Sequence, residues 1–217
     1  IPLDWRFELT KFNVIRQALK SRWFPFLGVV VSLFVFTLIL TAAAAGTAAG
    51  NYNFGVLAVW LLWWALLVMI LVPFFARFWC TVCPLPSVGE WLQRLRLMGV
   101  RSKLGGLNRR WPRRLSNMWI LNLIFLTVIF FSGFFTVRPI ATFYLLASII
   151  ATAVIISLVY QRRTFCRYLC PVNSFQALYS NLSVSEIRCK DHEICGKHRP
   201  KTCYTGNEKG YGCPWLI

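Results

Sequence analysis

Eight cysteines hold most of the chemistry this chain can do, and they fall into three groups. Cys80 and Cys83 stand in Arg77-Phe-Trp-Cys-Thr-Val-Cys-Pro-Leu-Pro86. Cys166 and Cys170 stand in Arg163-Thr-Phe-Cys-Arg-Tyr-Leu-Cys-Pro-Val172. Cys189, Cys195, Cys203 and Cys213 follow with the looser spacing C-x5-C-x7-C-x9-C-P. Thiolates are soft ligands suited to iron–sulfur clusters, zinc or copper(I). One isolated C-x2-C is weak evidence of a site. Two copies of a cysteine pair, each closed by Cys-Pro, point instead to a cofactor held between the copies.

Cys80 aligns with Cys166 and Cys83 with Cys170, with C-x2-C in the first copy and C-x3-C in the second. We expect these four to hold one [4Fe–4S] cluster and Cys189, Cys195, Cys203 and Cys213 to hold another. Zinc and copper are the alternatives to the two clusters. A cysteine followed by proline can bind the neighbouring cluster in two-cluster folds, so the spacing leaves the partition of the eight open. His192 and His198 lie inside the tail cluster and read as solvated loop residues, since four cysteines already complete a site. A disulfide, or free thiols in apolar packing, is the bland alternative for each pair, and disulfides are disfavoured in the cytoplasm.

Proline fits the first position of a helix, where its missing N–H is not needed. Helices over 87–97 and 173–182 are therefore expected, amphipathic and lying at a membrane surface. Their N-termini present free N–H groups and partial positive charge to a negative cluster, aided by Arg77, Arg163 and Arg167.

The elements that position these motifs are apolar. Hydrophobic residues make up 57% of the chain and charged residues 14%, and the mean hydropathy is +0.57. No charged residue occurs between Arg22 and Arg77. That stretch holds two spans of about 20 residues each. We place them at 24–45 and 54–75, with the turn-rich loop 46–53 between them. A second pair is expected at 118–135 and 140–160, joined by a turn that carries Arg138. The expected fold is an all-α integral membrane protein of four transmembrane helices, arranged as two repeated hairpins. Each hairpin is followed by a Cys-Pro motif and an amphipathic helix, and an irregular Cys-rich segment closes the chain. The divisions are 1–23, an N-terminal segment; 24–97, the first hairpin and motif; 98–117, a basic linker; 118–182, the second hairpin and motif; and 183–217, the Cys-rich segment. Ile1 and the closing Cys213-Pro-Trp-Leu-Ile217 lead us to expect that the natural chain continues at both ends.

The net charge of +17 is carried in blocks. Arg16, Lys20 and Arg22 precede the first span. The stretch between the second and third spans carries Arg77, Arg94, Arg96, Arg101, Lys103, Arg109, Arg110, Arg113 and Arg114, and Arg162, Arg163 and Arg167 follow the last span. Such blocks are a topology signal before they are a nucleic-acid signal. Both termini and both Cys-Pro motifs are thus expected on the cytoplasmic side of a bacterial-type inner membrane, with lipid and not nucleic acid as the surrounding partner. No dinucleotide or phosphate-binding fingerprint and no haem-attachment motif is present, and the spans hold no histidine. Trp79, Trp91, Phe78, Phe165 and Tyr168 read first as an interfacial aromatic belt and second as the lining of a quinone pocket.

Paired hairpins ending in Cys-x2-3-Cys-Pro resemble the membrane ferredoxin-like iron–sulfur proteins. That family includes the quinol-dehydrogenase subunit of periplasmic nitrate reductase, the membrane regulator of nitrous oxide reductase and an oxidase-assembly protein that handles copper. The resemblance runs over residues 24–182, and residues 188–215 look like the region preceding a ferredoxin domain in some members. C-x2-C-P at Cys80–Cys83 departs from the C-x3-C-P of many members. The resemblance implies a redox subunit of a quinol dehydrogenase-type oxidoreductase, passing electrons between a quinone or soluble donor and a partner redox protein. Other redox subunits or a ferredoxin-like protein are the expected partners, and a bound quinone is a further candidate cofactor. A copper reductase or chaperone for respiratory enzyme assembly is the alternative function, followed by a zinc-stapled regulatory or structural subunit.

Overall fold

In the computed structural model the described residues are 11–21, 23–94, 106–185, 193 and 197. Cys189, Cys195, Cys203 and Cys213 lie outside them, as do His192 and His198. The expected second cluster site therefore falls outside the described residues.

Three helices are long and apolar enough to cross a bilayer: α2 (Trp23–Ala45), α3 (Phe54–Phe75) and α8 (Pro139–Val159). A short helix, α1 (Asn13–Lys20), precedes them. At about 1.5 Å per residue, α2 is about 34 Å long, enough for a hydrocarbon core of about 30 Å. Only 17%, 28% and 22% of the residues in their apolar windows are buried, so most of their side chains face outward. Leu61, Leu62 and Met69 are all exposed on α3. A surface of that kind is stable against lipid rather than water.

The expected span at 118–135 is not one helix. It divides into α6 (Trp119–Phe130) and α7 (Ser132–Val137), with Phe131 between them at φ −89° and ψ 9°. Ser132 and Gly133 follow the break, and a Ser/Gly pair is a common site of helix kinks.

Asn53 closes the first hairpin. It caps α3 by accepting from the N–H groups of Gly55 at 2.9 Å and Val56 at 3.3 Å. Its Nδ2 donates to the carbonyls of Ala42 at 3.1 Å and Thr47 at 2.9 Å. All four bonds are buried or half-buried, which an uncharged apolar hairpin requires. Wide π turns at Leu57–Trp63 and Leu67–Leu71 loosen α3, the second of them just ahead of Pro73. The wider turn makes room for the proline ring against the preceding carbonyls. Across the hairpins, Trp60 Nε1 donates to Thr142 Oγ1 at 3.2 Å, and the Trp60 ring stacks on Phe135.

Each Cys-Pro motif forms a pair of short helices. The first pair is α4 (Trp79–Val82) and α5 (Pro84–Arg94). The second is α9 (Thr164–Tyr168) and α10 (Pro171–Tyr179). The prolines start α5 and α10, three and two residues ahead of the expected starts at 87 and 173. Tyr179 ends α10, and a 3₁₀ turn at Ser180–Leu182 follows it. The described part of α5 ends at Arg94, and 95–97 lie outside the described residues.

Both motifs touch the opposite hairpin, α5 extensively and α10 slightly. α5 packs on α2 of its own hairpin and, most extensively, on α8 of the other. α10 packs on α6 and on the end of α3. Gly89 lets α5 lie against α8: a Cβ there would stand 2.7 Å from Ser157 Cβ and Oγ and 3.2 Å from the Val154 Cα.

Candidate metal centre

Cys80 and Cys166 lie inside the short helices α4 and α9, and Cys83 and Cys170 precede the prolines that begin α5 and α10. A residue before proline is pushed out of the helical region. Both cysteines obey: Cys83 has φ −63° and ψ 126°, and Cys170 has φ −71° and ψ 114°. Each motif is entered through a positive-φ residue, Ala76 at 49° and Arg163 at 63°. These turns redirect the chain from the end of a long helix into the cysteine-bearing helix.

All four thiols are free and at most partly exposed, and Cys170 is buried. Cys170 packs with Ala153 and Phe165, flanked by Cys166, Leu169 and Val172. The four also sense one another. Burial first, then the neighbouring Cys166, pushes the Cys80 thiol up to about 11, while Arg163 and Arg77 pull the other way. Burial raises Cys83 well above the ordinary thiol range, and Cys170, Cys166 and Cys80 add to it. Cys166 is raised by burial and, less, by Glu90, against the Arg163 charge and its hydrogen bond. Cys170 is raised by burial and by Cys166 and Cys80. The backbone N–H of Leu85 counteracts the rise at Cys83, and those of Val172 and Asn173 do so at Cys170. Those amides lie at the starts of α5 and α10; at Cys170 no capping hydrogen bond to the sulfur closes, and the Asn173 N–H donates to the Cys170 carbonyl at 3.0 Å. These are the helix N-terminal donors expected from the two Cys-Pro steps.

Such thiols stay protonated at neutral pH unless a cation takes the place of their protons. A metal bound by these thiols would displace their protons. Among the described residues no three His, Cys, Asp or Glu side chains converge as a single-ion site. Four thiolates around one zinc would stand only about 3.8 Å apart, from a Zn–S bond of about 2.3 Å. A four-iron core is larger and needs a wider frame of thiols.

Two buried polar atoms beside the cysteines find no partner among the described residues. They are Thr81 Oγ1, between Cys80 and Cys83, and Gln176 Nε2, on α10. Gln176 is 1% exposed, and its Oε1 accepts from the Cys80 thiol at 3.0 Å. Buried donors without acceptors are costly, and sulfur atoms of a bound cluster are acceptors of the kind they lack. The donor set therefore fits an iron–sulfur group.

Sequence reasoning named Arg163 but missed its partner. Glu90 on α5 is buried and accepts from Arg162 Nε and, at 3.1 Å, from Arg163 Nε. Arg163 also donates to the Cys80 carbonyl at 2.9 Å. One guanidinium thus ties α5, the Cys80 turn and the Cys166 helix together. Glu90 carried a usable signal: it is the sole acidic residue between Arg22 and Ser185. Arg77 and Arg163 both act on Cys80, whereas Arg167 lies over the Tyr168 ring, 6.0 Å from its centroid. The named aromatics do different work. Trp79 packs on Trp63, Trp91 on Phe26 and Phe78 on Phe24, while Tyr168 stacks on Trp111 and Phe165 is buried beside Cys170.

A family model for a 4Fe-4S binding domain matches this chain over residues 56–112 and 142–188. Each matched segment holds one cysteine pair and its Cys-Pro. The match supports 4Fe-4S cluster binding. The four tail cysteines lie past the second segment. Neither a curated protein nor a solved structure matches the chain.

Proposed function

We propose that Cys80, Cys83, Cys166 and Cys170 jointly hold one [4Fe–4S] cluster, and that the chain is a membrane-bound electron-transfer subunit. It relays electrons between a quinone pool or soluble donor and a partner redox protein. One observation carries the reading: Arg163 is bonded to the Cys80 carbonyl and to Cys166, so one side chain clamps both cysteine motifs around a single buried group of thiols. The contact of each motif with the opposite hairpin, extensive for α5 on α8 and slight for α10 on α3, supports two like units related by an axis along the membrane normal. In this reading α6 and α7 together complete a fourth crossing, and both termini face the cytoplasm. Cys189, Cys195, Cys203 and Cys213 hold a second cluster on that side.

A bound cluster supplies a one-electron redox step. The residues of this chain bury it, keep water from it and offset its negative charge. Arg163 and Arg77 supply positive charge, and the N–H groups of Leu85, Val172 and Asn173 supply dipoles. The test is iron and acid-labile sulfide content of the anaerobically purified chain, with electron paramagnetic resonance after reduction. Cys83→Ser and Cys170→Ser should remove the same signal. Two variants that abolish different signals would place the pairs in separate sites, and zinc without sulfide would end the redox reading.

A further inference from the structure

We infer that Gln176 donates a hydrogen bond from its carboxamide to the cluster-ligating Cys80 sulfur and so raises the midpoint potential of the shared cluster. This rests on the shared-site reading above. Gln176 sits on α10, in the second motif, yet its carboxamide meets Cys80 of the first motif at 3.0 Å. A polar side chain 1% exposed in such a place needs both ends satisfied. With the thiol protonated, Cys80 donates to Oε1, and Nε2 finds no acceptor among the described residues.

Ligation reverses the polarity of that contact. A metal-bound thiolate has no proton to donate, so Oε1 against it would set two acceptors 3.0 Å apart. Half a turn of the carboxamide exchanges its oxygen and nitrogen at almost no change in shape. The N–H then meets the sulfur, and the carbonyl takes the position where the N–H had no acceptor. A buried under-satisfied carbonyl is better tolerated than a buried orphaned N–H. The residue is thus suited to the ligated state and poorly satisfied in the thiol state. Donors to cluster sulfurs stabilise the more negative, reduced form. Because Gln176 reaches Cys80 across the motifs, its bond forms only when both halves are assembled. It acts on the cluster through the ligand and is a tuning residue rather than a catalytic one.

The experiment is a redox titration of the full-length protein in detergent, monitored by electron paramagnetic resonance, with iron and sulfide measured on each sample. Gln176→Leu removes the donor, and Gln176→Glu keeps the shape while substituting a group that donates only when protonated. Both variants should retain the cluster, and Gln176→Leu should show a midpoint potential below wild type. In Gln176→Glu burial keeps the carboxyl protonated, so the potential should stay near wild type at low pH and fall as pH rises and the carboxyl loses the proton it donates. Unchanged potentials with full cluster content overturn the inference. Loss of the cluster in both variants overturns it too, by making Gln176 an assembly residue. Wild-type protein without iron and sulfide would instead refute the shared-site reading itself.

Discussion

Replacing Glu90 by Gln removes one charge from the most buried ionic group at the site while leaving its shape nearly intact. The Glu90 side chain is 5% exposed, and those of Arg162 and Arg163 are 2% and 10% exposed. Removing one partner of a buried pair costs about 3–5 kcal/mol, because the remaining charge stays desolvated without compensation. Arg163 keeps its bond to the Cys80 carbonyl, which places the expected loss at the lower end. About 3 kcal/mol corresponds to an unfolding equilibrium shifted on the order of a hundredfold. Reversible unfolding in mixed micelles, followed by tryptophan fluorescence, measures it. A double-mutant cycle with Arg162→Met separates the pair from other effects, and the double variant should lose less than the sum of the singles. Glu90 also raises Cys166, so its neutralisation should move the cluster midpoint potential upward. A Glu90→Gln protein within about 0.5 kcal/mol of wild type, the range of an ordinary surface substitution, would refute the clamp.

Gly89→Ala should separate α5 from α8, since its Cβ would meet Ser157 at 2.7 Å and the Val154 backbone at 3.2 Å. We expect a loss of about 1–3 kcal/mol in the same micelle assay, the usual cost of overpacking. In the metal-free protein, alkylation of Cys80 should stay slow at pH 8–9, where an ordinary thiol with pKa about 9 reacts, and should reach half its maximal rate near pH 11. The sign follows from burial, which disfavours the thiolate; mass spectrometry of the labelled peptide checks it, and half-maximal labelling at pH 9 or below would contradict it. A reporter inserted in loop 46–53 should read as external and one in the linker 98–117 as cytoplasmic, and the reverse pattern would overturn the topology.

Much of this protein is local in its sequence. The long apolar helices could be read from uninterrupted apolar runs, two of them inside the charge-free stretch, because spanning a bilayer needs only length and apolarity in consecutive residues. The Cys-Pro steps foretold a helix after each proline, though the helices begin at the prolines themselves, three and two residues before the expected starts, because proline's fixed φ suits the first helical position. The two Cys-Pro pairs pointed to 4Fe-4S binding by type and spacing, and the family match falls on both of them. Tertiary structure decided the rest. Glu90 meets Arg162 and Arg163 from 72 and 73 residues away, and Gln176 meets Cys80 across 96. No periodicity encodes such partners; they exist only because α5 and α10 each cross to the opposite hairpin. The break at Phe131 was hidden for a related reason. Hydropathy runs unbroken through α6 and α7, and apolarity records which solvent a segment faces without recording where its backbone bends.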